Sequence, residues 1–104
     1  MRHIVFLVKK RPGMSQEEFS RYWLDDHTPF TARVEGITGY RCYPALPGQE
    51  GSPFEGIAVL SFADDAAFEA AMASEEFAAA LADAPNFQDT GATFSFEAEQ
   101  RIIV

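Results

Sequence analysis

The apolar patterns along the chain predict an α+β fold with the element order β-α-β-β-α-β. Runs of β-branched and aromatic residues occur near both ends of the sequence, two more follow each other in the middle, and segments with helical periodicity lie between them. This order is that of the split βαβ, ferredoxin-like arrangement. It predicts an antiparallel four-stranded sheet that carries its helices on one face.

The four strands are predicted from local composition. The first covers residues 4–8 and is followed by an Arg-Pro-Gly turn, and the second covers about residues 38–45 after a glycine-framed turn. A loop rich in Pro and Gly at residues 46–54 leads to the third strand at residues 56–62. The last strand is predicted at about residues 93–104, where alternating apolar and polar residues indicate one buried and one wetter face.

The first helical region opens with a capping box that runs from Ser15 to Glu18. Residues at steps of three and four then form one stripe that should face the sheet: Phe19, Tyr22, Trp23, Asp26, His27, Phe30 and Val34. Pro29 lacks an N–H and disfavours a helical Thr28 before it, so the helix is predicted to break near His27. Thr28 is then expected to cap a second short helix with Pro29 at its first position.

The second helical region is unusually rich in alanine, which supplies half of residues 63–84. Alanine favours helix formation and lets a helix lie close on a sheet. Asp64 or Asp65 and then Ser74 are the predicted N-caps, which divide the region into two short helices.

Both faces of the predicted sheet are apolar. In the first strand Val5 and Leu7 point to one face while Ile4 and Phe6 point to the other, and the third strand shows the same pattern. Two helices cover only one face, and a sheet-sized apolar patch is rarely left exposed. We therefore expect a homodimer packed through the sheet faces.

Composition limits the class of protein. The chain has 104 residues, enough for one domain spanning residues 1–104, and its formal net charge of −8 argues against binding to nucleic acid. The single Cys42 excludes an intramolecular disulfide, and no apolar run approaches the roughly 20 residues of a transmembrane helix. Because no signal peptide is apparent, we expect a cytoplasmic protein with no membrane partner.

His27 is the residue with the clearest chemical potential. Its imidazole titrates near neutrality, and the aromatic neighbours Trp23, Phe30 and Phe87 are expected to desolvate it and to favour its neutral, basic form. Tyrosines 22, 40 and 43 offer O–H groups for an oxygen on which negative charge develops. Such a set suits abstraction of a proton next to a carbonyl.

The order and spacing of several motifs resemble the EthD-like proteins of the dimeric α/β-barrel superfamily. The resemblance runs nearly end to end and rests on the following motifs: Lys10-Arg11-Pro12-Gly13-Met14-Ser15, Glu18-Phe19, Tyr22-Trp23, His27-Thr28-Pro29, Gly36-Ile37-Thr38-Gly39-Tyr40, Ser74-Glu75-Glu76 and Asn86-Phe87-Gln88-Asp89. It implies two ferredoxin-like protomers that join their sheets into a barrel, with a pocket between sheet and helices in each. It also implies isomerase, cyclase, dehydratase, decarboxylase or monooxygenase-type chemistry without metal or organic cofactor.

We therefore predict a cofactor-independent enzyme that acts on a small aromatic, polyketide-like or lactone substrate. The predicted catalytic residues are His27 and Tyr40. The predicted substrate-binding residues are Tyr22, Trp23, Phe30, Phe87 and Asp89. No metal site is predicted, because the two histidines and the cysteine have no recognised ligand spacing, and no nucleotide-binding glycine motif is present.

Two other interpretations remain open at this point. In the first, the pocket holds an apolar ligand or haem and does no chemistry. In the second, the protein is a structural dimer, His27 is a core histidine that closes a helix end, and Tyr22 and Trp23 simply pack in the core. Asp89 likewise suits a turn cap as well as a role in substrate binding.

Overall fold

The computed structural model describes residues 1–49 and 51–104, and it contains one four-stranded antiparallel sheet. The strands are β1 (Arg2–Val8), β2 (Ile37–Pro44), β3 (Gly56–Phe62) and β4 (Phe94–Ala98), in the spatial order β2-β3-β1-β4. The helices are α1 (Gln16–Arg21), a π-helical segment (Tyr22–His27), α2 (Thr28–Ala32), α3 (Asp65–Met72), α4 (Glu75–Asp83) and a short 3₁₀ turn (Ala84–Asn86). The predicted α+β, ferredoxin-like order is confirmed. Within the loop predicted at residues 46–54, Glu50 lies outside the described residues.

The two sheet faces follow from the strand register. Val5 of β1 lies opposite Val59 of β3 and Phe96 of β4, so these three side chains share one face. The other alternating set packs with the helices in the hydrophobic core, which includes Ile4 and Leu60. We call the side of the sheet opposite the helices the open face. Its apolar members are Val5, Leu7, Tyr43, Ile57, Val59, Phe94, Phe96 and Ala98.

The helix starts match the predicted caps. The Ser15 hydroxyl accepts a hydrogen bond from the Glu18 N–H at 3.1 Å and the Glu18 carboxylate accepts one from the Ser15 N–H at 3.3 Å, which confirms the capping box. Asp64, rather than Asp65, caps α3 by accepting from the Ala67 N–H at 2.8 Å. Ser74 caps α4 through the Phe77 N–H at 3.1 Å.

The predicted break at His27 is wrong, because the backbone continues through the π-helical segment into α2. The Thr28 N–H donates to the carbonyl of Trp23, five residues back. The next such bond would come from Pro29, which has no N–H, and the Thr28 hydroxyl instead donates to the Leu24 carbonyl at 2.7 Å. Thr28 therefore closes the π turn and does not cap α2, although α2 does begin at Thr28 with Pro29 in its first turn, as predicted.

The last strand is shorter than predicted. Its final pair joins His3 to Ala98, and β1 begins only one residue earlier, at Arg2, so the chain beyond Ala98 has no strand to pair with. Residues 99–104 accordingly have no regular structure and are exposed. The expected buried face of β4 is also exposed in the protomer, since Phe94 and Phe96 retain 59% and 53% of their accessible surface.

Candidate functional site

A cavity of about 310 Å³ lies between the helix-facing side of the sheet and the helices. This volume is at the lower end of the range for small-molecule sites. Its lining is mainly apolar, with hydroxyl, amide and imidazole groups interspersed. The lining residues are Phe6, Val8, Trp23, His27, Thr31, Tyr40, Ala58, Leu60, Phe77, Ala80, Leu81, Ala84, Gln88, Thr90, Thr93, Phe94 and Ser95.

The π-helical segment places four buried side chains on one side of the helical region. Phe19, Trp23, His27 and Thr31 are each four residues apart, and all are buried. In a regular α-helix every step of four overshoots a full turn by about 40°, so three steps would carry Thr31 well away from Phe19. The wider π turn reduces this drift. As a result Trp23, His27 and Thr31 all reach the cavity.

His27 is paired with Asp83 at the end of α4. The Nδ1 atom of His27 lies 2.8 Å from Oδ2 of Asp83, and the two residues are only 7% and 8% exposed. An ionised carboxylate only accepts hydrogen bonds, so Nδ1 carries the proton that it donates to Asp83. This leaves Nε2 as the acceptor nitrogen of a side chain that lines the cavity.

Three side chains donate to the Asp83 carboxylate. Besides His27, the Tyr22 hydroxyl donates to Oδ1 at 2.7 Å and the Asn86 amide donates to the same oxygen at 3.0 Å. Burial favours a higher pKa for Asp83, but the hydrogen bonds from His27, Tyr22 and Asn86 outweigh it and hold the pKa below its usual value. Asp83 is therefore a carboxylate at neutral pH.

Burial dominates the titration of His27. Removal from water lowers its pKa below the ordinary value of 6.5, and the hydrogen bond and negative charge of Asp83 reverse this only in part. The Phe87 ring lies 4.6 Å from the imidazole between ring centroids and is itself fully buried. His27 is thus a neutral base at neutral pH, held between an aromatic ring and a carboxylate.

Tyr40 lines the cavity from β2. Burial raises the pKa of its phenol and the neighbouring Cys42 thiol raises it further, whereas the Thr31 hydroxyl and the Trp23 indole lower it. The net shift is upward, so Tyr40 keeps its proton at neutral pH. It offers an O–H donor at the cavity wall.

The structure brings three of the seven predicted site residues to the cavity: Trp23, His27 and Tyr40. Phe87 lies behind the imidazole, Tyr22 reaches Asp83, and Phe30 is 6.4 Å from the His27 ring, so these three surround the histidine without lining the cavity. Asp89 does not line it either.

Two other residues considered for the site lie away from the cavity lining. The Asp89 N–H donates to the Lys9 carbonyl at 2.9 Å, and the Thr93 hydroxyl donates to the Asp89 carbonyl at 3.1 Å, so its backbone is held in the turn before β4. Tyr43, considered as a hydroxyl donor, is 51% exposed on the open face.

Sequence reasoning missed Asp83 and Thr31. Asp83 is 56 positions from His27, so no local motif connects them. One signal was present: Phe77, Ala80 and Asp83 follow each other at steps of three and are all buried in α4, which puts a carboxylate on an apolar stripe. A charged residue on such a stripe needs a partner, and His27 is that partner.

Within residues 1–49 and 51–104, no group of three or more His, Cys, Asp or Glu side chains is arranged to hold a metal ion. None of the helices in the same ranges is both long enough and apolar enough to cross a membrane.

Comparison with known proteins agrees with this architecture. An ethyl tert-butyl ether d (EthD) family protein from Bacillus halodurans c-125 superimposes with a TM-score of 0.77 at 19% identity, over 97% of this chain and all of that one. HapK from Hahella chejuensis superimposes with a TM-score of 0.73 at 17% identity, over 97% of this chain and 93% of that one. A dimeric ferredoxin-like protein of unknown function from Thermobifida fusca YX superimposes with a TM-score of 0.72 at 12% identity, over 95% of this chain and 90% of that one.

These identities establish the fold only. No curated protein matches the chain. The EthD domain, however, matches residues 11–91, which include the π-helical segment, Tyr40 and Asp83. The chain therefore belongs to the EthD family.

Proposed function

We propose that the protein is a cofactor-independent enzyme in which His27 acts as general acid and base on a small aromatic, polyketide-like or lactone substrate. The observation that carries this proposal is the 2.8 Å bond between the His27 Nδ1 and Asp83 at the edge of an apolar cavity. The bond leaves a neutral imidazole nitrogen for a bound ligand. Proton transfer by such a group contributes about 10²- to 10⁴-fold in rate.

The proposed reaction begins with transfer of a proton from a C–H or O–H next to a substrate carbonyl to Nε2 of His27. The imidazolium that results is stabilised by Asp83, which Tyr22 and Asn86 keep ionised and in place. His27 then returns the proton at another atom of the substrate. Isomerisation, ring closure and loss of water all follow this pattern.

Tyr40 is the proposed donor to the substrate oxygen. Negative charge collects on the carbonyl or phenol oxygen as the proton leaves, and a fixed O–H directed at that oxygen stabilises it. The raised pKa of Tyr40 keeps that proton available over the whole neutral range. His27 and Tyr40 approach the cavity from the helical layer and from the sheet.

We further propose that the working form is a homodimer joined through the open faces. Phe94, Phe96 and Tyr43 are more than half exposed there, and the central residues Val5 and Val59 are only half-buried. The similar Thermobifida fusca protein is described as dimeric. A second copy would remove this apolar area from water.

The direct test is His27→Gln, assayed against a panel of hydroxylated aromatic ketones, naphthols and lactones. We expect turnover of any wild-type substrate to fall at least 100-fold while its Kd changes by less than about threefold, since Gln retains most of the bulk. His3→Gln is the matched control, because His3 bonds Ser61 on the other side of the sheet. Turnover that survives in His27→Gln would refute the role of His27.

A binding protein without chemistry is the second candidate, and the mainly apolar lining of the cavity favours it. In that case the His27–Asp83 bond only ties the π-helical segment to α4. The same variant separates the two: a binding protein shows no turnover in the wild type, and His27→Gln changes ligand affinity or stability alone.

A further inference from the structure

The floor of the cavity extends across the whole width of the sheet. It includes residues from every strand: Tyr40 of β2, Ala58 and Leu60 of β3, Phe6 and Val8 of β1, and Ser95 of β4. Register places Tyr40 beside Leu60, and Ser95 beside Phe6. Neighbouring strands lie 4.7–4.9 Å apart, so the two edge strands are about 14 Å apart.

Hydroxyl and amide groups line the cavity near both edge strands, and His27 lines it from the helical layer. Tyr40 of β2 lies with Thr31 of α2 at one edge. Ser95 of β4 lies at the other edge, and Gln88, Thr90 and Thr93 line the cavity from the segment that leads into this strand. The floor between these edges, on β1 and β3, is formed by aliphatic and aromatic side chains only.

No formally charged side chain lines the cavity within the described ranges. His27 is neutral near pH 7, and the nearest charge behind it is the Asp83 carboxylate. The chain as a whole carries a net charge of −8. An anionic group in the cavity would gain no cationic partner, and the surrounding field would repel it.

We infer that the ligand of this cavity is an uncharged, elongated aromatic molecule with a hydroxyl or carbonyl oxygen at each end, and that Ser95 is the residue that selects for the oxygen at the β4 end. The inference rests on the proposed function, which takes this cavity as the substrate site. It narrows the substrate class by excluding carboxylates, including lactone acids. The aromatic rings of Trp23, Phe6 and Phe77 provide the surfaces for the apolar middle of the ligand.

Three anthraquinone probes of equal ring size test the inference by fluorescence titration, at a pH at which their phenols are protonated. The first has a hydroxyl at each end, the second has one hydroxyl, and the third has a carboxylate in place of the second hydroxyl. We expect the two-ended probe to bind about three to ten times more tightly than the one-ended probe, the gain of one neutral hydrogen bond. The carboxylate probe should bind at least tenfold more weakly than either.

Two variants at Ser95 test whether this residue binds the ligand oxygen at the β4 end of the cavity. Ser95 is exposed in the protomer, so its replacement should not disturb folding. Ser95→Ala should remove the advantage of the two-ended probe and leave the one-ended probe unchanged. Ser95→Lys should improve binding of the carboxylate probe by at least tenfold. Thr38→Lys is the control, because it adds the same charge at an exposed position of β2 outside the cavity.

Each outcome decides between the inference and the proposed function. Equal affinity for the one-ended and two-ended probes, or tight binding of the carboxylate probe, would overturn the inference and leave the catalytic role of His27 standing. The same holds if Ser95→Lys and Thr38→Lys behave alike. Failure of all three probes to bind the wild type, in a protein that does turn over other substrates, would also overturn the inference. Failure to bind together with no turnover would overturn both.

Discussion

Burial and the Asp83 carboxylate act on the pKa of His27 in opposite directions, and burial has the larger effect. A surface histidine next to a carboxylate would show the reverse, with a raised pKa. The difference determines the chemistry, because a neutral imidazole with one free nitrogen accepts a proton at pH 7, whereas an imidazolium does not. The role of Asp83 is then to fix the tautomer and to stabilise the charged form once it appears.

The pH profile of the reaction should report this arrangement. Because the pKa of His27 is lowered, the acidic limb of kcat/KM should lie below pH 6.5. Folding stability should also fall toward acidic pH. The unfolded chain binds more protons at His27 than the folded chain does, so stability decreases as pH falls from 6.5 toward the pKa of His27 in the folded protein. A limb above pH 6.5 would contradict the assignment.

Replacing Asp83 by Asn should shift that limb further. The variant loses the charge that raises the pKa of His27, so its acidic limb should move to lower pH, and kcat should fall about 100-fold because the imidazole is no longer held in one tautomer. Asn86→Ala removes one donor to Asp83 and leaves His27 in place. The Asn86→Ala variant should change kcat by less than about fivefold. Initial rates of both variants, measured at several pH values, check these two expectations.

Gly56 is required by the packing of Trp23. A Cβ atom at this position would lie 2.9 Å from the Tyr43 carbonyl oxygen and closer still to the Trp23 ring, which is 1% exposed. Gly56→Ala should therefore destabilise the fold by about 1–3 kcal/mol, measured by urea unfolding. Gly91→Ala is the control, since its Cβ would meet only the Asp89 carboxylate at 3.6 Å, and it should unfold like the wild type.

At the scale of the element, the π-helical segment links sequence to site. The helical path continues through the Thr28-Pro29 pair although Pro29 has no N–H to donate to the Leu24 carbonyl. The Thr28 hydroxyl donates to that carbonyl instead. The π-helical segment brings Trp23, His27 and Thr31 to the cavity. A break at His27, as the sequence alone indicated, would have rotated α2 independently of the histidine.

Thr28→Val tests the role of that hydroxyl. Valine keeps the shape of threonine but cannot donate to the Leu24 carbonyl, so unfolding free energy should fall by about 1 kcal/mol. Thr28→Ser restores the hydroxyl and should recover most of the loss. Equal stability of the valine and serine variants in urea unfolding would show that the bond does not hold the π turn.

Local patterns predicted most of the elements and only part of the site. Strand β3 and the caps at Ser15 and Ser74 depend on neighbouring residues and were predicted at their observed places. The π turn requires knowing which carbonyls lack partners, and the partnership of His27 with Asp83 depends on how α4 docks. Neither the π turn nor this pairing can be predicted from a short stretch of sequence.

At the scale of the whole molecule, the helices of residues 1–49 and 51–104 all pack on one face of the sheet and leave the other face open. The helix-facing side contains the fully buried Val8 and Phe62, while Phe94 and Phe96 on the open face are largely in water. The sequence pattern predicted two apolar faces correctly. It could not show that this face of β4 is exposed in the protomer, since that depends on where the helices pack.

Phe96→Glu should separate association from folding. Phe96 lies on the edge strand β4 and is already 53% exposed, so a carboxylate there should cost the isolated protomer little. In a dimer formed through the open faces it would place a charge in a desolvated apolar contact close to its twofold mate, and should weaken association at least 100-fold by sedimentation equilibrium. Leu24→Glu is the matched control, because Leu24 is 44% exposed on the helical layer and its replacement should leave the dimer intact. A wild type that sediments as a monomer at micromolar concentration, or equal effects of the two variants, would refute a dimer joined through this face.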